Sequence, residues 1–411
     1  MEDYLKKNQC RICKGKELEI VLDLGKQPPA NALIHDTEVN EQVFPLRLFW
    51  CKNCYLVQLL DIVNKKHLFS DYVYMTSASQ PIVEHFKKYA NDIFEKYFKN
   101  QKEFSVLEIG SNDGSLLKEF QRLGGTTIGI EPAKNLSKIS NDAGINTINE
   151  FFSKELATNI ALKEKISLVV ANNVIGHVDD LHELMEGIKI LIGEKGIFVF
   201  EVPYLVDLIK KLEFDTVYHE HLSYFSILPL IKWTEEHDLE IFDIIKQDVH
   251  GGSLRIFVSK KGNFQRNNSV KKLVQNEYDL GLDKIVIYKK FSKDVEELKT
   301  KLKNILNQLK KENKTIFGYG APAKGNVLLN FCEINTKYLD YIIDTTPLKQ
   351  GKFTPGTHIP IFHPNKITDR GDKHVGLLLA WNYENEILSK EKEFRNKGGK
   401  FLIPLPTPTI K

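Results

Sequence analysis

Four of the five cysteines in this sequence form two closely spaced pairs, and these pairs constrain the N-terminal fold more than any other feature. The pairs are Cys10-x-x-Cys13 and Cys51-x-x-Cys54, and the fifth cysteine lies far along the chain. Four thiolates in two such pairs can fill the tetrahedral coordination sphere of a structural zinc ion. We therefore predict a zinc-binding module over residues 1–68, with these four cysteines as the metal ligands.

The spacing of the two pairs leaves other uses of the cysteines open. The 37 residues between Cys13 and Cys51 exceed the usual zinc-ribbon spacing of about 15 to 20. A redox-active dithiol and reduced cysteines in an apolar core are the alternatives. A closed zinc site would stabilise the module and would take no part in catalysis.

Length and charge restrict the class of protein. The 411 residues suffice for two to four domains with sizeable cores. The chain has 57 Lys and Arg against 54 Asp and Glu, and their interspersion speaks against nucleic-acid binding. No apolar run approaches the length of a membrane span or a secretion leader. We expect a soluble cytoplasmic protein, a monomer, with no nucleic-acid or membrane partner.

Apolar runs that alternate with stretches of helical period predict a doubly wound parallel sheet in the middle of the chain. After a helix expected over 82–98, the runs lie at 105–109, 126–130, 166–170 and 196–200. A lysine- and glutamate-rich helical region over 270–311 precedes a second alternation, with strands expected at 315–319, 338–343, 375–380 and 400–403. The sequence therefore predicts an α/β protein with a second, smaller α/β unit.

A glycine-rich turn after the first of these strands could hold a nucleotide cofactor. Gly110 and Gly114 follow Glu108, and Asn112 stands where a dinucleotide-binding loop has its middle glycine. Glu131 ends the next strand, where its carboxylate could accept both ribose hydroxyls. This combination favours S-adenosylmethionine over NAD.

Further cofactor contacts are expected at the ends of later strands. Asn172 and Asn173 follow one strand, and Phe152 could flank an adenine, although ordinary core packing explains that phenylalanine nearly as well. His177, a few residues on, is a candidate base that could line the same cleft.

The segment Tyr218-His219-Glu220-His221 concentrates groups that can transfer protons. A histidine works as a general base near neutral pH, and a neighbouring carboxylate can orient it. A metal site using His219 and His221 and a surface cluster without function are the alternatives.

A second glycine loop, Gly318 to Asn326, follows a strand of the C-terminal unit. Its backbone amides and the Lys324 ammonium could bind a diphosphate. A duplicated loop that binds nothing is the alternative.

These motifs occur in one order along the whole chain, including Glu108–Gly114, Asn173–His182, Tyr218–Ser226 and Gly318–Asn326. In that order they resemble the S-adenosylmethionine-dependent sugar C-3-methyltransferases, which modify nucleotide-linked 4-keto-deoxysugars. The departures from the family pattern are minor, such as Pro322 in the last glycine loop, where alanine is usual.

The resemblance implies an N-terminal zinc module, a central class I methyltransferase fold at 69–250 and a C-terminal Rossmann-like domain at 251–411. It makes His221 the base that removes the C-3 proton. Glu220 would hold the sugar or orient the base, and Tyr218 could donate a hydrogen bond to the ketone oxygen as negative charge develops there. The resemblance also implies sugar contacts from Tyr72 or Tyr74, between which the sequence does not choose. Including the groups introduced above, the expected substrate contacts are Tyr72, Tyr74, His177, Lys324 and Asn326.

Two other functions stay open. One is O- or N-methylation of a sugar or small metabolite, which needs no enolate. The other is an adaptor role, in which the zinc module binds a protein or nucleic acid and the methyltransferase scaffold is modified.

Overall fold

In the computed structural model, which describes residues 4–64, 75–249, 251–366 and 371–411, the N-terminal residues form small antiparallel sheets. The strands are β1 (Tyr4–Lys6), β2 (Leu18–Gln27), β3 (Phe44–Cys51), β4 (Val57–Leu59) and β5 (Asp61–Val63). β1 pairs with β5, and β2, β3 and β4 form a second sheet in which β3 is central. The expected domain boundaries at residues 68 and 250 lie outside the described residues.

The central part of the chain forms a seven-stranded sheet with helices on both faces. Its strands are β6 (Ser105–Ile109), β7 (Thr126–Ile130), β8 (Thr147–Ile148), β9 (Leu168–Asn172), β10 (Ile197–Pro203), β12 (Leu239–Gln247) and β13 (Ser253–Lys260). Between β10 and β12 the chain also forms a short strand, β11 (Ser223–Tyr224), which belongs to the N-terminal sheet. The helices are α1 (Gln80–Ile93), α2 (Ser115–Arg122), α3 (Lys134–Asp142), α4 (Lys154–Ala161), α5 (Leu181–Ile192), α6 (Leu205–Lys210) and α7 (Ile227–Glu235).

The strand order of this sheet is β12-β13-β10-β9-β6-β7-β8. β13 pairs antiparallel with both β10 and the edge strand β12, and all the other pairs of the sheet are parallel. Strands β6 and β9 are almost wholly buried, which explains their continuous apolar runs, because a parallel strand is covered on both faces. The loop after β6 lies where the chain connections diverge to the two sides of the sheet, which is the usual ligand crevice of such sheets.

The remaining residues form two helices and a six-stranded sheet. The helices α8 (Asn268–Asp279) and α9 (Ile285–Lys311) come first, followed by β14 (Thr315–Tyr319), α10 (Ala323–Phe331), β15 (Tyr341–Ile343), β16 (Ile361–Phe362), β17 (His374–Leu378), α11 (Glu384–Lys390), α12 (Lys392–Asn396), β18 (Lys400–Ile403) and β19 (Thr409–Ile410). The strand order is β16-β15-β14-β17-β18-β19, and only β19 is antiparallel.

Several expected elements are found with shifted bounds. The helix expected over 82–98 is α1 followed by a π-helical turn at Phe94–Phe98. The helical region over 270–311 is two helices, because α8 ends before the turn at Gly281, whose φ is +77°. The strand expected from Tyr338 begins at Tyr341, since the amide of Tyr338 closes a turn on the Asn335 carbonyl. The antiparallel strands β12 and β13 were not anticipated.

The N-terminal sheet packs on the rest of the chain in two ways. Helix α9 buries an apolar stripe at intervals of three and four residues, and its Tyr288 packs against Trp50 of β3 with ring centroids 5.7 Å apart. In addition, β11 pairs with the outer edge of β4.

Among the described residues, no helix has both the length and the apolar character needed to cross a membrane.

Candidate active site

A cavity of about 1430 Å³ is lined by residues from all three parts of the chain. The N-terminal part contributes Asn31, the central sheet contributes the loop after β6, and the C-terminal sheet contributes the loop after β14. The histidine segment before β11 lies in the wall between these loops. The cavity therefore joins the expected cofactor loop to the expected base.

The glycine loop after β6 requires glycine at its first position. Gly110 has a φ of +69°, and a Cβ atom there would lie 2.5 Å from Cγ2 of Val174. The loop backbone thus passes directly against the chain that follows β9. Gly114 instead precedes α2, where a Cβ would meet the Ser140 hydroxyl at 2.6 Å, and it is not among the described residues that line the cavity.

Two carboxyl groups at strand ends face this loop. Glu131 accepts hydrogen bonds from the amides of Asn112 at 2.9 Å and Ala133 at 2.8 Å. Burial raises the pKa of Glu108 well above its usual range, and its Oε2 has no hydrogen-bond partner among the described residues. An unpartnered buried carboxyl oxygen beside a glycine cradle fits the amino-acid end of S-adenosylmethionine, and Glu131 fits its ribose.

The other expected cofactor contacts also line the cavity. Asn172 ends β9 beside the Glu108 carboxyl, where its amide partly offsets the effect of burial on the Glu108 pKa. Asn173 follows with a φ of +56°. Phe152 lines the cavity and also packs closely on Gly187 of α5, so its contact with an adenine stays a prediction.

His221 is held in one tautomer. Its Nδ1 lies 2.9 Å from the carbonyl oxygen of Thr216. Because a carbonyl can only accept, Nδ1 carries a proton, and in the neutral ring the lone pair is then on Nε2. The Tyr218 ring packs on the imidazole with centroids 3.9 Å apart. This arrangement leaves Nε2 as the basic nitrogen of His221.

His177 and Glu220 complete the wall around His221. The Nδ1 of His177 donates to the Glu220 carbonyl at 2.8 Å, and its ring meets that of His221 edge to face at 4.8 Å. Burial lowers the pKa of His177, so this ring stays neutral near pH 7. Burial also raises the pKa of the Glu220 carboxyl to about 7, against the hydrogen bond that Asn31 donates to it at 2.7 Å.

His219 does not join this group. Its ring is buried against Phe44, and burial lowers its pKa to about 4. Within the described residues, the groups of side chains that could hold a metal comprise the four cysteines alone. The metal site suggested by His219 and His221 is therefore wrong for the described part of the chain.

The second glycine loop also reaches the cavity, but only in part. Lys324 lines it, lies 4.2 Å above the Trp381 ring and bonds to Asn382. Burial lowers the pKa of Lys324 to about 8, against the nearby carboxyls of Asp215 and Glu213.

Asn326 is not among the described residues of the cavity wall; its Nδ2 donates to the carbonyl of Ala30 at 2.6 Å. Two residues apart on α10, Lys324 and Asn326 point to opposite sides of the helix. Tyr72 and Tyr74, the remaining expected sugar contacts, lie outside the described residues.

The four cysteines are brought together by two similar turns. In each, the amide of the residue after the second cysteine bonds to the carbonyl of the first, from Lys14 to Cys10 at 3.1 Å and from Tyr55 to Cys51 at 2.8 Å. The four Sγ atoms lie within 4.8 Å of one another, which suits Zn–S bonds of about 2.3 Å. This all-sulfur donor set fits a structural zinc ion.

Sequence reasoning missed two residues of the wall, Asn31 and Glu213. It also missed the hydrogen bond that Trp381 Nε1 donates to Asp215 at 2.6 Å, next to the wall residues Thr216 and Asn382. Asn31 stands in a loop after two prolines, and no local pattern distinguishes it. Asp215 lies three residues before Tyr218, so an acidic residue next to the histidine segment was the signal that the sequence offered.

Comparison with known proteins assigns the family. The family models described as "Putative zinc binding domain", "Methyltransferase domain" and "C-methyltransferase C-terminal domain" match residues 10–69, 82–244 and 248–406. The chain is also 34% identical to C-methyltransferase NovU of Streptomyces niveus, over all of this chain and 98% of that protein. The chain belongs to the C-methyltransferase family.

The match confirms the resemblance found in the sequence and the class of reaction, methyl transfer to carbon. The methyltransferase model confirms the class I fold and the S-adenosylmethionine cofactor. The zinc-binding model agrees with the cysteine cluster and confirms the zinc module.

Two solved structures match less than half of the chain, and they match it only weakly. An S-adenosylmethionine-dependent methyltransferase from Clostridium acetobutylicum has a TM-score of 0.35 and 14% identity, over 43% of this chain and 92% of that one. Magnesium protoporphyrin IX methyltransferase from Synechocystis has a TM-score of 0.35 and 11% identity, over 44% and 83%. These likenesses decide nothing about the site.

Proposed function

We propose that this protein methylates C-3 of a nucleotide-linked 4-keto-deoxysugar, with His221 as the base that forms an enolate. The observation that carries the proposal is the fixed tautomer of His221, whose Nδ1–H is held by the Thr216 carbonyl at 2.9 Å in the wall of the shared cavity. A neutral imidazole with a defined basic nitrogen is the group that this step needs.

The chemistry follows from the acidity of the sugar. A ketone at C-4 acidifies the C-3 hydrogen, so Nε2 of His221 can take that proton and leave an enolate. When bound, S-adenosylmethionine supplies the electrophilic methyl group. The enolate electron pair would form the C-3 to methyl bond as the methyl–sulfur bond breaks, which leaves the electron pair of the broken bond on the sulfur of S-adenosylhomocysteine. The proton stays on His221 until it passes to solvent.

The neighbours of His221 suit the charges that develop. The hydroxyl of Tyr218, whose ring packs on His221, is suited to donate to the ketone oxygen as negative charge builds there. A neutral His177 beside His221 adds no positive charge that would oppose its protonation. The Glu220 carboxyl, with a pKa of about 7, can donate to or accept from a sugar hydroxyl.

The C-terminal wall suits the nucleotide. Lys324 is a cation in the cavity wall, and Gly320, with a φ of +81°, lets the backbone turn close to a ligand. The cavity of about 1430 Å³ exceeds the usual 300–1,000 Å³ of a single-ligand pocket, which supports a cofactor and a sugar nucleotide bound together. We assign the Lys324 ammonium and the backbone at Gly320 to the diphosphate.

The proposal is tested with labelled S-adenosylmethionine and a panel of nucleotide-linked 4-ketosugars. We expect label on a sugar carbon, and label on oxygen or nitrogen alone would support the other methylation chemistry. Deuterium uptake at C-3 from D₂O without cofactor isolates the enolate step, because O- and N-methylation need no such exchange. No label and no exchange across the panel would overturn the proposal.

Two histidine variants separate chemistry from folding. His221→Asn should lower kcat and C-3 exchange by about 10²- to 10⁴-fold, the usual contribution of a general base, with cofactor affinity retained. His358→Asn is the matched control, because His358 pairs with Glu41 and has a φ of +55°, which asparagine tolerates. A parallel loss of cofactor binding in His221→Asn would instead indicate a structural role.

A further inference from the structure

One buried arginine lies between the two cysteines of the first pair. Arg11 is 2% exposed. Its Nε donates to Asp179 Oδ1 at 3.1 Å, and its Nη1 donates to the Leu222 carbonyl at 3.2 Å. Nη1 also contacts the Leu59 carbonyl and Gln58 Oε1 on β4. The guanidinium thus joins the zinc turn to two segments that are more than 40 residues apart in sequence.

Those two segments carry the histidines of the candidate active site. Leu222 directly follows His221, and Asp179 lies two residues after His177. The segments are tied to each other as well, since the Leu222 amide donates to the Gly176 carbonyl at 2.7 Å. Arg11 therefore holds both segments from outside the cavity wall, since Arg11, Asp179 and Leu222 are not among the described residues that line the cavity.

The other residue between the same cysteines makes a second link. The carbonyl of Ile12 accepts a hydrogen bond from Nε2 of His182 at 2.7 Å, and Nδ1 of His182 faces Nε2 of His237 at 2.9 Å. Both intervening residues of the first cysteine pair thus bond to the central part of the chain. The cysteines fix the turn from which these bonds are made.

We propose that Arg11 is a positioning residue that uses the zinc turn as a fixed support and sets the placement of His221 and His177. The inference rests on the proposed function, in which His221 is the base. Removing one partner of a buried charge pair leaves the other groups unpaired and lowers stability, so a loss of stability alone does not separate structural support from positioning. We assign positioning because the planar guanidinium donates in several fixed directions at once, and two of its contacts lie on the segments that carry His177 and His221.

The experiment compares zinc-loaded wild-type protein with Arg11→Met. We expect kcat and cofactor-free C-3 exchange to fall about 10- to 100-fold, as misplacement of catalytic groups by about 1 Å does. Zinc content and affinity for S-adenosylmethionine should stay close to wild type, whereas the melting temperature should fall because the buried Leu59 and Leu222 carbonyls lose a donor. Long-range ¹H–¹⁵N spectra of the histidine rings should show His221 as one tautomer in the wild type and as a mixture in the variant.

Lys7→Met is the matched control. Lys7 contacts the same Asp179 carboxylate at 2.6 Å. Unlike Arg11, its side chain makes no described hydrogen bond to the Leu222 carbonyl. We expect this variant to retain the wild-type rate. Arg11→Lys, which keeps the charge but cannot span both partners, should give an intermediate rate and serves if Arg11→Met fails to fold.

The outcomes are distinct. Wild-type rates in the zinc-loaded arginine variants would overturn the inference, and so would rate loss that appears only together with zinc loss. If the wild-type protein neither exchanges nor methylates, the proposed function fails. The histidine spectra then decide the positioning role alone, because unchanged ring signals in Arg11→Met would refute it.

Discussion

Substitution of Gly110 by alanine tests whether the loop after β6 is shaped by its close contact with the chain after β9. Alanine at a φ of +69° costs about 1 to 2 kcal/mol from backbone strain alone. Its Cβ would also lie 2.5 Å from Cγ2 of Val174, an overlap that must be relieved at a cost of about 1 to 3 kcal/mol. The sum predicts a loss of about 2 to 5 kcal/mol in the free energy of unfolding.

Gly124→Ala is the control for strain without overlap. Gly124 has a φ of +90°, and a Cβ there would meet no atom within 4 Å. Its cost should therefore stay near about 1 to 2 kcal/mol. Adding Val174→Ala to Gly110→Ala should recover the difference between the two glycine variants, because the nearest remaining Val174 atom, Cβ, would lie at 3.6 Å.

Urea denaturation measures these free energies, and calorimetric titration measures cofactor binding. If the loop moves to relieve the overlap, affinity for S-adenosylmethionine should fall about tenfold for each 1.4 kcal/mol of binding energy lost. Gly124→Ala should leave that affinity unchanged. Equal destabilisation by the two glycine variants, or no recovery with Val174→Ala, would refute the reasoning.

Three further predictions concern buried groups. The pKa of Glu220 is raised from 4.5 to about 7 in the folded protein, so the folded state binds this proton more tightly than the unfolded state does, and the wild-type free energy of unfolding falls as pH rises from about 4.5 through 7. Glu220→Gln has no such proton, so its free energy of unfolding should rise by about 3 kcal/mol relative to that of the wild type between pH 4.5 and pH 8. A difference that does not vary with pH in urea titrations would contradict this. Cys10→Ser should lose the zinc measured by metal analysis and lower the melting temperature, since a closed site contributes to folding. Glu277→Ala should cost about 2 to 4 kcal/mol in urea denaturation, because the buried Glu277 accepts from the amides of Ile227 and Leu228 at the start of α7; a loss under about 0.5 kcal/mol would contradict it.

Local patterns predicted the parts of the fold whose cause is local. The strands at 105–109, 126–130, 315–319 and 400–403 have the expected bounds, because a buried parallel strand needs a short apolar run. The loop at Gly110 was expected for a similar reason, since a sharp turn between strand and helix needs a positive φ. The clustering of histidines with Glu220 and Tyr218 indicated a general base in this segment, and the family resemblance selected His221.

Contacts between distant segments could not be predicted in this way. The Asn31 amide reaches Glu220 across 189 positions, and Arg11 reaches Leu222 across 211. Neither asparagine nor arginine carries a local pattern that names its partner. Asn326 is the opposite case, in which a local pattern suggested a contact that the structure does not show. The loop motif grouped Asn326 with Lys324, but the two side chains point to opposite sides of α10.

The pairing of β11 with β4 has a consequence for how the chain is made. The last residue of β4 is Leu59 and the first of β11 is Ser223, so the N-terminal sheet lacks one strand until well over a hundred further residues have been synthesised. At about 5 to 20 residues per second this takes on the order of 10 to 30 seconds. During that interval the nascent chain on the ribosome presents an unpaired strand edge, and an excised N-terminal fragment would carry the same edge permanently.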